Sequence, residues 1–263
     1  MLDILIIIPV LNEEKNIFLI FNKIKQNLKK NFNILFIDDN SNDKTRQNIY
    51  YLKKKYKNIF LIKRPRRLGI GSAHKVGLSW GYKKKYKYII TMDCDGTHNP
   101  KYINKMLKIA KFQNAQIITT NRFLNKNSLE DWSTWRILLT NLRHIIIKLL
   151  LNKNSIEDWS TGRILLTNLR HIIIKLLLNI QFDSSGAFRL YKTREIQIND
   201  ILLAKNESYS FFWESIFILT KKYKIKEIPI NLPGRLSGSS KMNFGEIFKA
   251  LGYLLIFFIK NRI

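Results

Sequence analysis

Residues 4–14 read ILIIIPVLNEE. The run is apolar from Ile4 to Leu11 and gives way at once to Asn12-Glu13-Glu14. No basic segment precedes it and Pro9 interrupts it, so it makes a poor signal peptide and a good buried strand. Working outward, similar runs recur at Ile34–Ile37, Ile59–Ile62, Tyr88–Met92 and Gln116–Thr119. Helix-like stretches lie between them at Glu13–Lys29, Lys44–Lys55 and Ser72–Tyr82. This alternation predicts an α/β fold with a mostly parallel open sheet and helices on both faces. Continuous Ile/Leu runs suit strands covered on both sides. The chain, residues 1–263, is read as a single domain of this kind.

The polar residues follow the strands. Asn12-Glu13-Glu14, Asp38-Asp39 and Asp93-Cys94-Asp95 each come just after an apolar run. Ligands of open α/β sheets bind at the carboxyl ends of the strands. Two carboxylates two residues apart, Asp93 and Asp95, can hold a divalent cation that bridges a diphosphate. Asp39 can accept hydrogen bonds from a ribose or base. Equally, Asp38–Asp43 reads as a polar turn and helix cap before Lys44. Gly69-Ile70-Gly71 opens a helix, where a phosphate can approach the backbone, or where two elements pack tightly.

Composition bounds the rest. The 263 residues carry 46 Lys+Arg and 19 Asp+Glu, a formal net charge of +27. Hydrophobic residues make up 46%, enough for a core and too many for a disordered basic tail. The charge has two readings: Lys used as a general surface residue, or attraction to phosphates, nucleotides or an acidic membrane. No nucleic-acid motif accompanies it, so no specific nucleic-acid partner is expected. Cys94 is the one cysteine, which excludes an intrachain disulfide. With four scattered histidines, a structural zinc site is not expected.

Residues 125–151 and 152–178 form a tandem repeat whose copies differ only at Leu129/Ile156 and Trp135/Gly162. Each copy carries apolar residues at helical spacing, Ile137, Leu138, Leu142, Ile145, Ile146 and Leu149 in the first, with Arg136, Arg143 and Lys148 on the opposite side. That is a basic amphipathic helix. An offset of 27 residues rotates a helix face by roughly half a turn, so one continuous helix would split the two stripes. Two helices broken at 152–155 are expected instead. A last apolar run, Ala250–Ile259, is too short to span a bilayer. Being apolar all round, it is a buried, membrane-inserted or partner-contacting helix.

Taken together, IIIPVLNEEKNI, FIDDNSNDKT, RPRRLGIGSAHKVG and IITMDCDGTHNPKYI resemble the inverting glycosyltransferases of family 2. Within it they are closest to the polyprenyl-phosphate glycosyltransferases typified by dolichyl-phosphate mannosyltransferase. TTNRF, TGRILLTN, DSSGAFRLYK, YSFFWES and EIPINLPGRLSGSSKMN follow in the same order, covering nearly the whole chain except one repeat copy. The resemblance implies a hexosyltransferase with the Rossmann-like GT-A fold and a nucleotide-sugar donor, GDP-mannose foremost. It implies that Pro9, Val10, Asn12, Glu14 and Gly71 line the nucleotide site and that Asp39 holds the base or ribose. It also implies that Asp93 and Asp95 hold Mg²⁺ or Mn²⁺. Arg122, Arg163 (or Arg136 in the first copy), Arg235 and Lys241 match the family's phosphate-contacting cations. Glu214 matches an acidic position whose role, core hydrogen bonding or substrate contact, stays open. Ala187 stands where the family commonly has glycine.

The implied acceptor is a polyprenyl phosphate, dolichyl or undecaprenyl. Its oxygen is already anionic, so no strong general base is needed. The implied location is peripheral, at the cytoplasmic face of a membrane: plasma membrane in a bacterium, endoplasmic reticulum in a eukaryote. The repeat helices and the C-terminal helix would touch that membrane. Some relatives continue into membrane spans; this chain resembles the span-free form, which leaves room for a membrane-anchoring partner subunit. The alternatives are a family 2 enzyme using a UDP-sugar or a glycan acceptor, an inactive scaffold, and a basic nucleic-acid-binding protein. The second repeat copy, which runs directly into Asp183, is expected to hold the family-like helix, with the first copy bulging outward.

Overall fold

The computed structural model describes residues 3–28, 32–122, 174, 178, 180, 182–184, 186–231 and 244–262. The strands among them are β1 (Ile4–Val10), β2 (Phe32–Asp38), β3 (Ile59–Lys63), β4 (Tyr88–Thr91), β5 (Ile117–Asn121), β6 (Arg189–Lys192) and β7 (Ile225–Pro229). The helices are α1 (Ile17–Asn27), α2 (Thr45–Lys55), α3 (Ile70–Lys83), α4 (Lys101–Phe112), α5 (Ile198–Leu202), α6 (Ser210–Thr220) and α7 (Phe244–Arg262). The strands form one sheet in the order β3-β2-β1-β4-β6-β5-β7.

β1 lies inside the sheet, between β2 and β4, and explains why the opening run lacks alternation. Ile6, Ile8 and Val10 face one layer, with Ile17, Ile20 and Ile24 of α1 and Ile103 and Met106 of α4. Leu5 and Ile7 face the other, with Ala73 and Leu78 of α3 and Phe211 of α6. Both sides of the pleat are therefore buried. Leu5 to Ile8 are completely inaccessible, each adding about 1.5–3 kcal/mol of gross burial. The third apolar cluster joins Trp213 and Ile216 of α6 to Leu254 of α7 and to Ile174, Leu178 and Ile180. The end of the second repeat copy thus packs on the core through Ile174 and Leu178. The first copy lies outside the described residues.

The sheet is mixed. β6 runs antiparallel to both β4 and β5, whereas β1–β2, β1–β4, β2–β3 and β5–β7 are parallel. Going outward from β1, the order moves one way to β2 and β3 and then reverses to β4. Crevices in doubly wound sheets open at such a reversal, outside the carboxyl ends of the strands. Val10 and Thr91 therefore point the chain into the place where a ligand can bind.

α1 begins at Ile17, later than the expected Glu13, and the reason is local. Asn12 adopts a left-handed φ of 53°. The next backbone N–H groups are taken by the β2–α2 loop. Asn12 N–H donates to Ser41 Oγ (2.9 Å), Glu13 N–H to Thr45 Oγ1 (2.7 Å) and Glu14 N–H to Asp43 Oδ2 (3.1 Å). The first residues after β1 are thus committed to a loop clamp instead of a helix. No helix among the described residues is long and apolar enough to cross a membrane.

Candidate active site

A cleft of about 720 Å³ opens beyond the carboxyl ends of β1 and β4. Its floor is Pro9, Val10 and Leu11 from the end of β1 and Asp93-Cys94-Asp95 from the end of β4. One wall is the segment joining β3 to α3, from Arg66 to Ile70. The other is the 206–210 loop before α6, together with Lys249 and Ala250 of α7. Glu13, Asp39, Asp93, Asp95 and Glu207 bring carboxylates, against the cations Arg66, Arg67 and Lys249. Five of the chain's 19 acidic residues are gathered here.

Asp39 builds the β3–α3 wall. One of its oxygens accepts from Leu68 N–H (2.9 Å) and the other from Gly69 N–H (3.0 Å). Arg64 Nη1 lies 3.0 Å from the same carboxylate and also donates to Gly69 O. Gly69 holds a φ of 93°, a left-handed conformation that favours glycine. Arg66 and Arg67 are thereby carried on a strap fixed at both ends, with their side chains exposed along the cleft. Asp38 turns away from the cleft, accepting from Ser41 N–H and pairing with Arg46.

The β4 end is set by its own next residues. Asp95 is 4% exposed, and its Oδ1 accepts from both the backbone N–H (3.1 Å) and the hydroxyl (2.6 Å) of Thr97. Asp93 N–H donates to His98 Nδ1 at 2.9 Å, and the His98 ring stacks on Phe188 at 5.2 Å. Since Nδ1 accepts that hydrogen, the 3.7 Å approach of Asp93 Oδ2 is no ion pair in that tautomer. The Asp93 side chain is about one-third exposed. Cys94, buried between the carboxylates, has its thiol pushed well up by burial and by Glu13, Asp95 and Asp93, so it stays protonated.

Of the residues expected from sequence, Pro9, Val10, Asp39, Asp93 and Asp95 line this cleft. Others do not. Asn12 and Glu14 are spent on the loop clamp: Asn12 Oδ1 accepts from Asn42 N–H and Glu14 Oε2 from Lys44 N–H. Glu13 lines the cleft in place of Glu14, because the left-handed turn at Asn12 shifts the facing by one residue. Gly71 is not among the cleft residues, and its place in the fold is one of close packing. A Cβ there would lie 2.6 Å from Phe211 Cβ and 2.7 Å from Ser208 O, so glycine lets α3 approach the 207–211 segment. Arg122, at the end of β5, donates from Nε to the buried Asp183 (2.8 Å) and is not among the cleft residues. Glu214 is buried and accepts from Lys205 N–H, Asn206 N–H and Tyr253 O–H, so it ties the 205–206 loop to α7. Arg163, Arg136, Arg235 and Lys241 lie outside the described residues. The cations Arg66, Arg67 and Lys249 were missed; Arg66 and Arg67 stand just after a strand, a signal that could have found them.

Behind the 207–211 segment His74 is fully buried, ringed by Phe211 and Phe212 (centroids 6.1 and 5.1 Å), with its Nε2 unpartnered. Burial, and then the Arg189 charge, push its pKa down to about 3. Above the ordinary histidine value the ring is neutral in both states and stability is flat. Below it the unfolded chain takes a proton that the folded chain refuses. Stability is therefore lost as pH falls from about 6.5 toward 3, at up to about 1.4 kcal/mol per unit. Urea midpoints at pH 7.5, 5.5 and 4.5 should fall steeply in the native chain and less so in His74→Leu. Equal slopes would contradict the neutral buried ring.

A model of the family described as glycosyl transferase family 2 matches residues 5–171. A polyprenol monophosphomannose synthase of Mycolicibacterium smegmatis is 23% identical, the match covering 98% of this chain and 88% of that one. An uncharacterized protein of Methanocaldococcus jannaschii is 33% identical over 49% of this chain and 50% of its own. Among solved structures, glucosyl-3-phosphoglycerate synthase of Mycobacterium tuberculosis shares the fold at 12% identity. Its form with Mn²⁺, UDP-glucose and phosphoglyceric acid superposes with a TM-score of 0.65, covering 97% of this chain and 79% of that one. Its form with Mg²⁺ and UDP gives 0.62, with coverage of 97% and 78%.

Proposed function

Because the chain belongs to glycosyl transferase family 2, we propose that it moves mannose from GDP-mannose to the phosphate of a polyprenyl phosphate, at the cytoplasmic face of a membrane. The observation that carries this reading is the pair Asp93 and Asp95 at the β4 end, facing the Arg66–Arg67 strap across one cleft. A nucleoside diphosphate sugar fits that charge pattern. Its nucleoside would lie along Pro9 and Val10 beside Asp39, and its phosphates would run toward Asp93, Asp95 and the two arginines. The similarity to a polyprenol monophosphomannose synthase, over nearly the full length, supports mannose as the sugar and a lipid phosphate as the acceptor.

The donor set suits Mg²⁺ or Mn²⁺. No group of three His, Cys, Asp or Glu side chains able to hold a metal occurs among the described residues. Two carboxylates at a cleft, with further oxygens from substrate phosphates and water, are what a hard six-coordinate cation takes. Asp93 and Asp95 would hold it. When bound, it supplies positive charge to the departing diphosphate.

The remaining chemistry belongs to the substrates and the chain's cations. A phosphate oxygen of the acceptor attacks the anomeric carbon, the bond to the donor diphosphate breaks, and the configuration inverts. The attacking oxygen is already anionic, so no side chain has to remove a proton. Arg66 and Arg67 would stabilise charge growing on the leaving diphosphate. Arg163 (or Arg136), Arg235 and Lys241 would add phosphate contacts, as the resemblance implies.

The test is a transfer assay. Labelled GDP-mannose, UDP-glucose and UDP-N-acetylglucosamine are each incubated with the protein, a polyprenyl phosphate and Mg²⁺ or Mn²⁺. Label from GDP-mannose is expected in the organic phase. Faster transfer from UDP-glucose would reassign the donor. Absence of transfer from every donor by folded protein would remove the reading.

A further inference from the structure

α7 touches the cleft at one end and leaves it along one face. Lys249 and Ala250 line the cleft wall. Beyond them, Tyr253, Leu254, Phe257 and Phe258 turn inward onto α6. Tyr253 and Phe257 meet Trp213 at ring distances of 5.7 and 5.1 Å, and Phe257 meets Phe217 at 5.3 Å. The outward face is one continuous stripe that starts at the cleft. At about 100° per residue, Lys249, Gly252, Leu255, Ile256, Ile259 and Lys260 fall within an arc of roughly 140°. All six are exposed. Leu255, Ile256 and Ile259 are 56%, 54% and 59% exposed.

Three large aliphatic side chains are thus held in water in a row that starts at a cleft cation. Gly252, between Lys249 and the row, has no atom within 4 Å of where a Cβ would be. From Lys249 to Ile259 the row runs about 15 Å along the helix. The aromatic face is covered by α6, and the outward stripe is continuous with the cleft through Lys249, so a ligand with an anionic head in the cleft and a long apolar tail can use both.

We propose that this row is the track for the apolar tail of the acceptor. The acceptor's phosphate enters the cleft past Lys249, and its isoprenoid chain lies over Gly252 along Leu255, Ile256 and Ile259. This rests on the proposed lipid-phosphate acceptor and deepens it: the chain selects a long tail as well as a phosphate. Charge and shape agree along the row, with a cation at the phosphate end, a gap where the side chain is missing, and then hydrocarbon.

The experiment compares two acceptors, undecaprenyl phosphate and a water-soluble geranyl-length phosphate, both in detergent micelles. The variant carries Ile256→Asn and Ile259→Asn, exposed positions whose loss leaves the core intact. Its KM for undecaprenyl phosphate should rise about ten-fold, the effect of roughly 1.4 kcal/mol of lost contact. KM for the short acceptor and for the nucleotide sugar should not move, nor should the thermal midpoint. An unchanged KM for the long acceptor, or an equal rise for both acceptors, would overturn the track. So would a wild-type KM in micelles with lost binding to acceptor-free anionic vesicles, which makes the row a bilayer contact. A changed oligomeric mass would make it a contact between copies and overturn it too. If the native chain glycosylates neither acceptor, the underlying reading falls and takes the track with it, a result distinct from native transfer that the variant leaves unaltered.

Discussion

Asp95→Asn is expected to lower the rate of sugar transfer at least about a thousand-fold, some 4 kcal/mol of lost stabilisation. The carboxylate sits at the β4 end, 4% exposed, with Oδ1 held by the N–H and the hydroxyl of Thr97. Asparagine keeps the shape and an oxygen for Thr97 but removes the charge. Asp95→Ala should cost activity as well, but it strips Thr97 of its acceptor, so a stability loss of about 1–3 kcal/mol is mixed in. Asp93→Ala separates the two effects. Its side chain is one-third exposed, and its backbone N–H, not its carboxylate, makes the bond to His98. It should lose less stability than Asp95→Ala and still lose activity. Excess chelator should mimic both variants, and Mn²⁺ titrated in the presence of nucleotide should bind the native chain and neither variant. Full activity in excess chelator would contradict the metal role of the pair.

The strands that were legible in the sequence are the ones buried on both faces. Leu5, Ile7, Leu35 and Ile37 pack on one side of the sheet and Ile6, Ile8, Ile34 and Phe36 on the other, so hydrophobicity runs unbroken and marks the strand. β6 gave no such mark. It is four residues long, and it begins on an arginine and ends on a lysine. α4 was overlooked although Ile103, Met106 and Ala110 recur at helical spacing beneath an exposed lysine face.

The site was legible where the fold rule reaches and illegible where a single dihedral decides. Carboxylates just after β1, β2 and β4 had to gather at one edge of a parallel sheet. Which glutamate turns into the cleft depended on the left-handed φ at Asn12, which no composition reveals. Gly71 looked like a phosphate loop because phosphate binding and close packing select the same residue. Asp39 has its oxygens engaged by Leu68, Gly69 and Arg64, so its first task is to hold the wall that carries Arg66 and Arg67.

Arg189→Leu is expected to destabilise the chain by about 3–5 kcal/mol, lowering the thermal midpoint by roughly 10 °C. Arg189 opens β6 and is 1% exposed. Its guanidinium donates to Gly186 O (2.9 Å), Ser184 O (3.0 Å), Phe212 O (2.7 Å) and Ser215 Oγ (2.9 Å), and lies 5.5 Å over the Phe212 ring. Leucine is apolar and fills part of the volume, but it leaves those buried carbonyls without that donor. Arg189→Lys should fall between, since one ammonium cannot reach the spread of acceptors that the planar fork does. The loss should also reach the cleft. Phe188 precedes Arg189 and supports the His98 ring, and His98 in turn fixes the backbone of Asp93. Below its melting point, Arg189→Lys should therefore show a lowered kcat with an unchanged KM for the nucleotide sugar. A midpoint within about 2 °C of native for Arg189→Leu would show that the carbonyls find other donors. A lysine variant with native kcat would break the path from Arg189 through Phe188 and His98 to Asp93.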